Sequence, residues 1–175
     1  MDIISHGLWG GLAFGRQNKK LFWQAFFFGI APDALSFGIY FVLIFLGGVP
    51  RPPFWSGHPT TDEQIPQFVH TFYHFTHSLI IFALLFFILW LIVRRPVWTS
   101  LAWPLHIIFD IFTHSDKFFP TPFLWPVSDF HVSGINWTSP VIFIPNLLLL
   151  VVLYAWFFLW RRRSFGRGGD FGSEV

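Results

Sequence analysis

The chain has 175 residues, enough for one compact domain and too few for two. Hydrophobic residues make up 54% and charged residues only 11%, against roughly a quarter charged in soluble domains. With 26 Phe, 10 Trp and a mean hydropathy of +0.56, a soluble globular domain is excluded in favour of an all-α, polytopic membrane helical bundle. The absence of cysteine removes disulfides, thiolate metal sites and cysteine nucleophiles. The net charge is +2, and the basic residues sit at the ends of apolar runs: Arg16, Lys19 and Lys20; Arg94 and Arg95; Arg161, Arg162 and Arg163. Such placement reads as topogenic flanking charge rather than a nucleic-acid patch.

The first fifteen residues carry Asp2 and lack a basic n-region or a cleavage-like site, so no secretory signal is expected and the chain is expected to act uncleaved. Residues 3–15 (IISHGLWGGLAFG) are apolar, Gly-rich and too short to span alone, since a span needs about 20 residues. They predict a half-length or re-entrant helix. Residues 21–46 are long enough to span, with Pro32 as a kink. Residues 47–69 are rich in Pro and Gly and predict an irregular interfacial loop, with Phe54 and Trp55 near the headgroups. Residues 77–93 form the clearest span, residues 97–114 return after a tight Arg-Arg-Pro turn, and residues 141–160 make the last span. The expectation is about four transmembrane helices plus the short N-terminal half-helix, in one membrane-embedded domain of residues 1–160. Residues 161–175 follow as a basic, Gly-rich tail expected to be disordered. Placing the three basic clusters in the cytoplasm puts the C-terminus there too. The loops 47–71 and 115–140, which hold only Arg51 and Lys117 as basic residues, then lie outside.

Ionisable side chains in hydrocarbon are costly and usually face a bundle interior with a partner. His6 lies in the first short helix and Asp33 in the second apolar run, within Ala-Pro-Asp. His70, His74 and His77 are spaced i, i+4, i+7, and His106, Asp110 and His114 are spaced i, i+4, i+8, each set on one helical face. At about 1.5 Å per residue from the nearest basic cluster, His6, His106, Asp33, Asp110 and His77 fall at depths of roughly 15, 16, 20, 22 and 25 Å. Groups from four segments thus share one slab of the membrane. Imidazole and carboxylate together suit a divalent ion, zinc first, with manganese or iron also fitting. His6, Asp33, His77, His106 and Asp110 are the candidate ligands. Asp110 could equally orient His106 from behind, and His74 is a candidate proton carrier. Plainer readings stand beside these. Asp33 could cap a helix restarting after Pro32. His70 and His74 could be interfacial, His58 and His131 solvated loop residues, and Thr76, Ser78 and Thr113 bound to backbone carbonyls. The roles of His70, His114 and His131 stay open.

The segments SHGLWGG around His6, GIAPDALS around Asp33, HFTHSLI around His77, HIIFDIFTHSD around His106 and Asp110, and PFLWP at residues 122–126 occur in this order. In this order they resemble the bacterial inner-membrane metal-dependent hydrolase family over roughly residues 1–130. The resemblance implies a multi-pass protein of the bacterial inner membrane, with His6, Asp33, His77, His106 and Asp110 at the family's polar motif positions. Two positions depart from it: Leu35 stands where the family often has a second Asp, and Phe72 where it often has a His. His74 or His70 could substitute for the latter.

Taken together, the expected function is a metal-dependent hydrolase, with Asp110 and His74 as catalytic candidates. It would act on a lipid-like ester or phosphoester through a metal-bound water. Its partners would be the bilayer and a lipid-like substrate, with no nucleic acid. The alternatives are a non-enzymatic metal- or proton-handling membrane protein and a b-type cytochrome, which gives the aspartates no role.

Overall fold

The computed structural model describes residues 1–50, 65–117 and 119–166, with side chains described as far as residue 159. The expectations for Arg51, Phe54, Trp55, His58 and most of the tail therefore lie outside the described residues. Among these residues the elements are all helical: α1 (Ile3–Phe14), α2 (Lys19–Phe45), α3 (Gln67–Thr76), α4 (Leu79–Val93), a 3-10 turn (Trp98–Leu101), α5 (Ala102–Thr113) and α6 (Pro140–Gly166).

Two of these, α2 and α6, are long and apolar enough to cross a membrane; the bent pair α3–α4 raises the number to three if it counts as one span. The sequence expectation of about four spans thus meets two differences. The run 77–93 does not stand alone, because a further helix precedes it from residue 67, inside what was expected to be outer loop. The run 97–114 spends its first turn in 3-10 geometry, which leaves α5 with 12 residues. The tail is helical as far as Gly166.

Local chemistry accounts for the break between α3 and α4. Ser78 caps α4, its Oγ accepting from the Ile81 N–H at 3.1 Å, so the chain must leave helical geometry just before it. His77 closes α3, its N–H bonding the Tyr73 carbonyl at 2.8 Å, and the two axes meet at 60°. The PFLWP segment closes over this joint: Ser78 Oγ donates to the Trp125 carbonyl and the Leu79 N–H to the Phe123 carbonyl. From the other side, Trp103 Nε1 donates to the Thr76 carbonyl at 2.8 Å.

α1 lies tightly along α2 because both present small residues. A Cβ placed on Gly29 would stand 2.6 Å from the His6 carbonyl oxygen, so only glycine permits that approach. Close backbone contact between small residues is how helices associate where no hydrophobic effect drives them together. Pro32 does not end α2, and Ser36 Oγ, donating to the Pro32 carbonyl, follows it in the same helix. Asp33 is accordingly not the cap of a restarted helix. In contrast, α4 has no buried residue, and most of α6 is exposed. These two helices present large aliphatic and aromatic side chains outward, as lipid-facing surfaces do.

Candidate metal centre

Four elements meet where α1, α2, the α3–α4 joint and α5 come together. Asp33 Oδ1, His77 Nε2, His106 Nε2 and Asp110 Oδ2 converge there, and the ligand atoms of the four residues all lie within 4.8 Å of one another. The two Nε2 atoms are 3.1 Å apart. Asp110 Oδ2 is 3.1 Å from His106 Nε2 and 3.6 Å from His77 Nε2. Asp33 Oδ1 is 3.5 and 3.7 Å from His77 and His106 Nε2 respectively.

Hydrogen bonding behind the rings assigns the tautomers. His106 Nδ1 is 2.7 Å from the Gly29 carbonyl, which can only accept, so that nitrogen carries the proton. His77 Nδ1 is 3.2 Å from the Tyr73 carbonyl and 3.0 Å from Thr76 Oγ1; the hydroxyl itself donates to Tyr73 O, so His77 Nδ1–H is again the donor. Both Nε2 atoms are then lone-pair acceptors pointing at each other and at two carboxylates. Nothing among the described residues donates into the space between them. Asp110 Oδ2 is fully buried and has no hydrogen-bond partner. Such an arrangement is repulsive unless positive charge enters it, either as protons on the imidazoles or as a cation in the centre. A buried Asp/His/His/Asp group of this kind could hold a metal ion. Five of the six donor pairs, at 3.1–3.7 Å, are close to the separation of about 3.3 Å between donors around a tetrahedral ion with bonds of about 2.0–2.1 Å.

Asp110 is fixed from behind through its other oxygen. Oδ1 meets the Met1 amino group, Thr113 Oγ1 at 3.3 Å, His6 Nε2 at 3.0 Å and His114 Nδ1 at 3.4 Å. These contacts gather on Oδ1 and leave Oδ2 for the central space. His6, expected as a ligand, is thus placed on the far side of Asp110, outside the group of four. Its ring stacks on His106 at 3.6 Å, and it is fully buried. Tyr73 stacks on His77 at 3.7 Å in the same way. Stacked rings and backbone acceptors orient both imidazoles before any ion arrives, which is how groups behind a metal site tune it.

The remaining candidates separate by position. His74 is half-buried against Trp125, with ring centroids 6.1 Å apart, and no hydrogen bond or ion pair joins it to the four. His70 stacks on Phe119, and His131 is an exposed residue 3.3 Å from Asp116 Oδ1. His114 turns out to touch the centre, through Asp110. Its i+4 spacing from Asp110 was the signal for it.

Among the described residues the centre opens at Asp33. Asp33 has 15% side-chain exposure, whereas the other three are sealed. Asp33 borders a cavity of about 310 Å³ whose walls include Phe37, Phe41, Phe119 and Trp137, with His114 among the lining residues. Trp137 is held there because its N–H bonds the Thr113 carbonyl at 3.0 Å, satisfying the open end of α5.

No protein-family profile matches the chain, and comparison with characterised proteins and with solved structures finds no match either.

Proposed function

We propose that the chain is a membrane-embedded metal-dependent hydrolase acting on a lipid-like ester or phosphoester. The observation that carries this reading is the pair of imidazole Nε2 atoms 3.1 Å apart, each with its proton directed away to a carbonyl, facing two buried carboxylates. Two imidazole and two carboxylate donors suit zinc, with manganese and iron as the other candidates. When bound, such an ion would lower the pKa of a coordinated water to about 7, making hydroxide available at neutral pH.

The chain's own residues would do the rest. His77, His106, Asp33 and Asp110 would hold the ion, while His6 and Thr113 keep Asp110 pointed at it. Asp33 faces the cavity, so a substrate approaching between Phe37, Phe41 and Trp137 would reach the site at Asp33. Those aromatic walls suit an apolar or amphiphilic substrate. His114 lines the same cavity and is the imidazole placed to carry a proton, with His74 standing farther off beside Trp125.

In this reading the membrane segments number four: α2, the bent α3–α4 pair, the 3-10 turn with α5, and α6, with α1 as a half-helix packed on α2. The membrane is the bacterial inner membrane, with the basic clusters and the C-terminus cytoplasmic by the positive-inside rule. The test is metal content by elemental analysis of the purified chain, followed by assays on acyl esters and phosphoesters of lipids with and without chelator. About one equivalent of metal and chelator-sensitive hydrolysis are expected. Metal without hydrolysis of any ester would move the protein to the metal-handling reading, and no metal would end both.

A further inference from the structure

A second site lies at the other end of α2, independent of the metal centre. Lys19 is 14 residues from Asp33 along the helix, or about 21 Å. Here the turn of residues 15–18 joins α1 to α2, and Tyr154, Phe157 and Phe158 of α6 stand opposite. Between them is a cavity of about 320 Å³. Arg16, Asn18 and Lys19 border it as exposed polar residues; Phe22, Tyr154 and Phe157 form its more buried walls.

The cations are placed there by the backbone. A Cβ on Gly15 would stand 2.5 Å from Phe22 Cα, so the turn closes onto α2 as only glycine allows. Asn18 uses its Oδ1 to accept from the Leu21 N–H at 2.9 Å, which leaves its NH₂ group to donate outward. Among the described residues no acidic side chain lines the cavity and no carboxylate pairs with Arg16 or Lys19. Tyr154 is pinned to the wall, its OH donating to the Leu8 carbonyl at 2.8 Å. Among the described residues one rim therefore carries positive charge with no acidic partner, and the floor is aromatic. The junction falls where the start of α2 faces α6 across the packed α1, with Phe22 and Tyr154 in ring contact at 6.4 Å, and both helices carry exposed apolar side chains.

We propose that this cavity binds the headgroup of an anionic phospholipid. The phosphate would lie between Arg16, Lys19 and the Asn18 amide, with the acyl chains along the apolar surfaces of α2 and α6. A free anion would use only the rim; the aromatic floor and the apolar helices continuing from it fit an amphiphile. Basic pockets between membrane helices bind lipid headgroups by this combination.

The experiment is native mass spectrometry of the full chain in detergent with equimolar phosphatidylglycerol and phosphatidylcholine. Wild type should retain phosphatidylglycerol preferentially. At about fivefold for each cation near the surface, Arg16→Gln with Lys19→Gln should cut that preference by about 25-fold. Lys20→Gln removes the same charge next door but outside the cavity lining, and should leave the preference in place. Inorganic phosphate at equal concentration should not displace the lipid. A double variant that binds like wild type overturns the proposal. So does an equal loss in Lys20→Gln, which would mean diffuse surface charge, or displacement by phosphate, which would mean a simple anion site. If the double variant does not fold, a salt titration of wild type decides: the preference should fall steeply as ionic strength rises, and a salt-independent preference would overturn it.

Discussion

α2 and α6 look alike on paper. Each has 27 residues and an internal proline, and in each that proline precedes a polar residue, Pro32-Asp33 in one and Pro145-Asn146 in the other. Their surroundings differ completely. Asn146 is neutral and fully answered: its Oδ1 accepts from Trp9 Nε1 at 2.8 Å and its Nδ2 donates to Ser5 Oγ at 2.9 Å. Asp33 is a carboxylate facing two bare imidazole nitrogens and a second carboxylate. A polar residue satisfied by neutral neighbours fastens helices together. One aimed at other acceptors calls for positive charge, either as protons on the imidazoles or as a cation between them.

That contrast can be broken by mutation. The largest effect is expected at Asp110→Asn or His106→Ala, which should lower bound metal from about one equivalent to under about a tenth, as loss of a ligand requires. Elemental analysis on protein shown to be folded by size exclusion and thermal melting would check it; unchanged metal would mean the four residues are not the site. His6→Gln should be milder. Loss of a group orienting a ligand costs about 10–100-fold in metal affinity, so a chelator competition should resolve it, and complete loss of metal would make His6 a direct ligand. Asn146→Leu should leave metal content alone and cost about 1–3 kcal/mol of stability, because Trp9 Nε1 loses its partner and Ser5 Oγ keeps only Asp2. Unfolding in mixed micelles would measure that; loss of metal instead would join α6 to the site. The smallest effect belongs to His74→Ala, expected to change neither metal content nor stability by more than about 0.5 kcal/mol.

The same contrast marks what the sequence could convey. Asp33, His77, His106 and Asp110 are polar residues in apolar runs at a common depth, and counting residues along helices was enough to bring them together. His6 passed the same depth count, but depth does not say which oxygen of Asp110 a side chain meets; that depends on how closely α1 lies on α2. The contact rests on Gly29, whose role is visible only once the two backbones are adjacent. His74 was grouped with His77 by helical spacing. The spacing failed because α3 stops at Thr76 and His77 belongs to the joint. Ser78 before a long apolar run is an N-cap signal that could have exposed the break. The number of spans was the least legible feature. Trp98, Thr99 and Ser100 fold into a 3-10 turn, and an 18-residue apolar stretch does not reveal that a third of it is not α-helix.

The joint at His77 also bears on how the protein sits in bilayers of different thickness. A transmembrane rod meets a thinner or thicker bilayer by changing its tilt, and a side chain midway along such a rod would be carried with it. His77 is not on the rod. It stands at the pivot, tied back to Tyr73 and Thr76, while α4 begins afresh at Ser78. A change in tilt of α4 would therefore start beyond the imidazole, whose place is set by Tyr73 and Thr76.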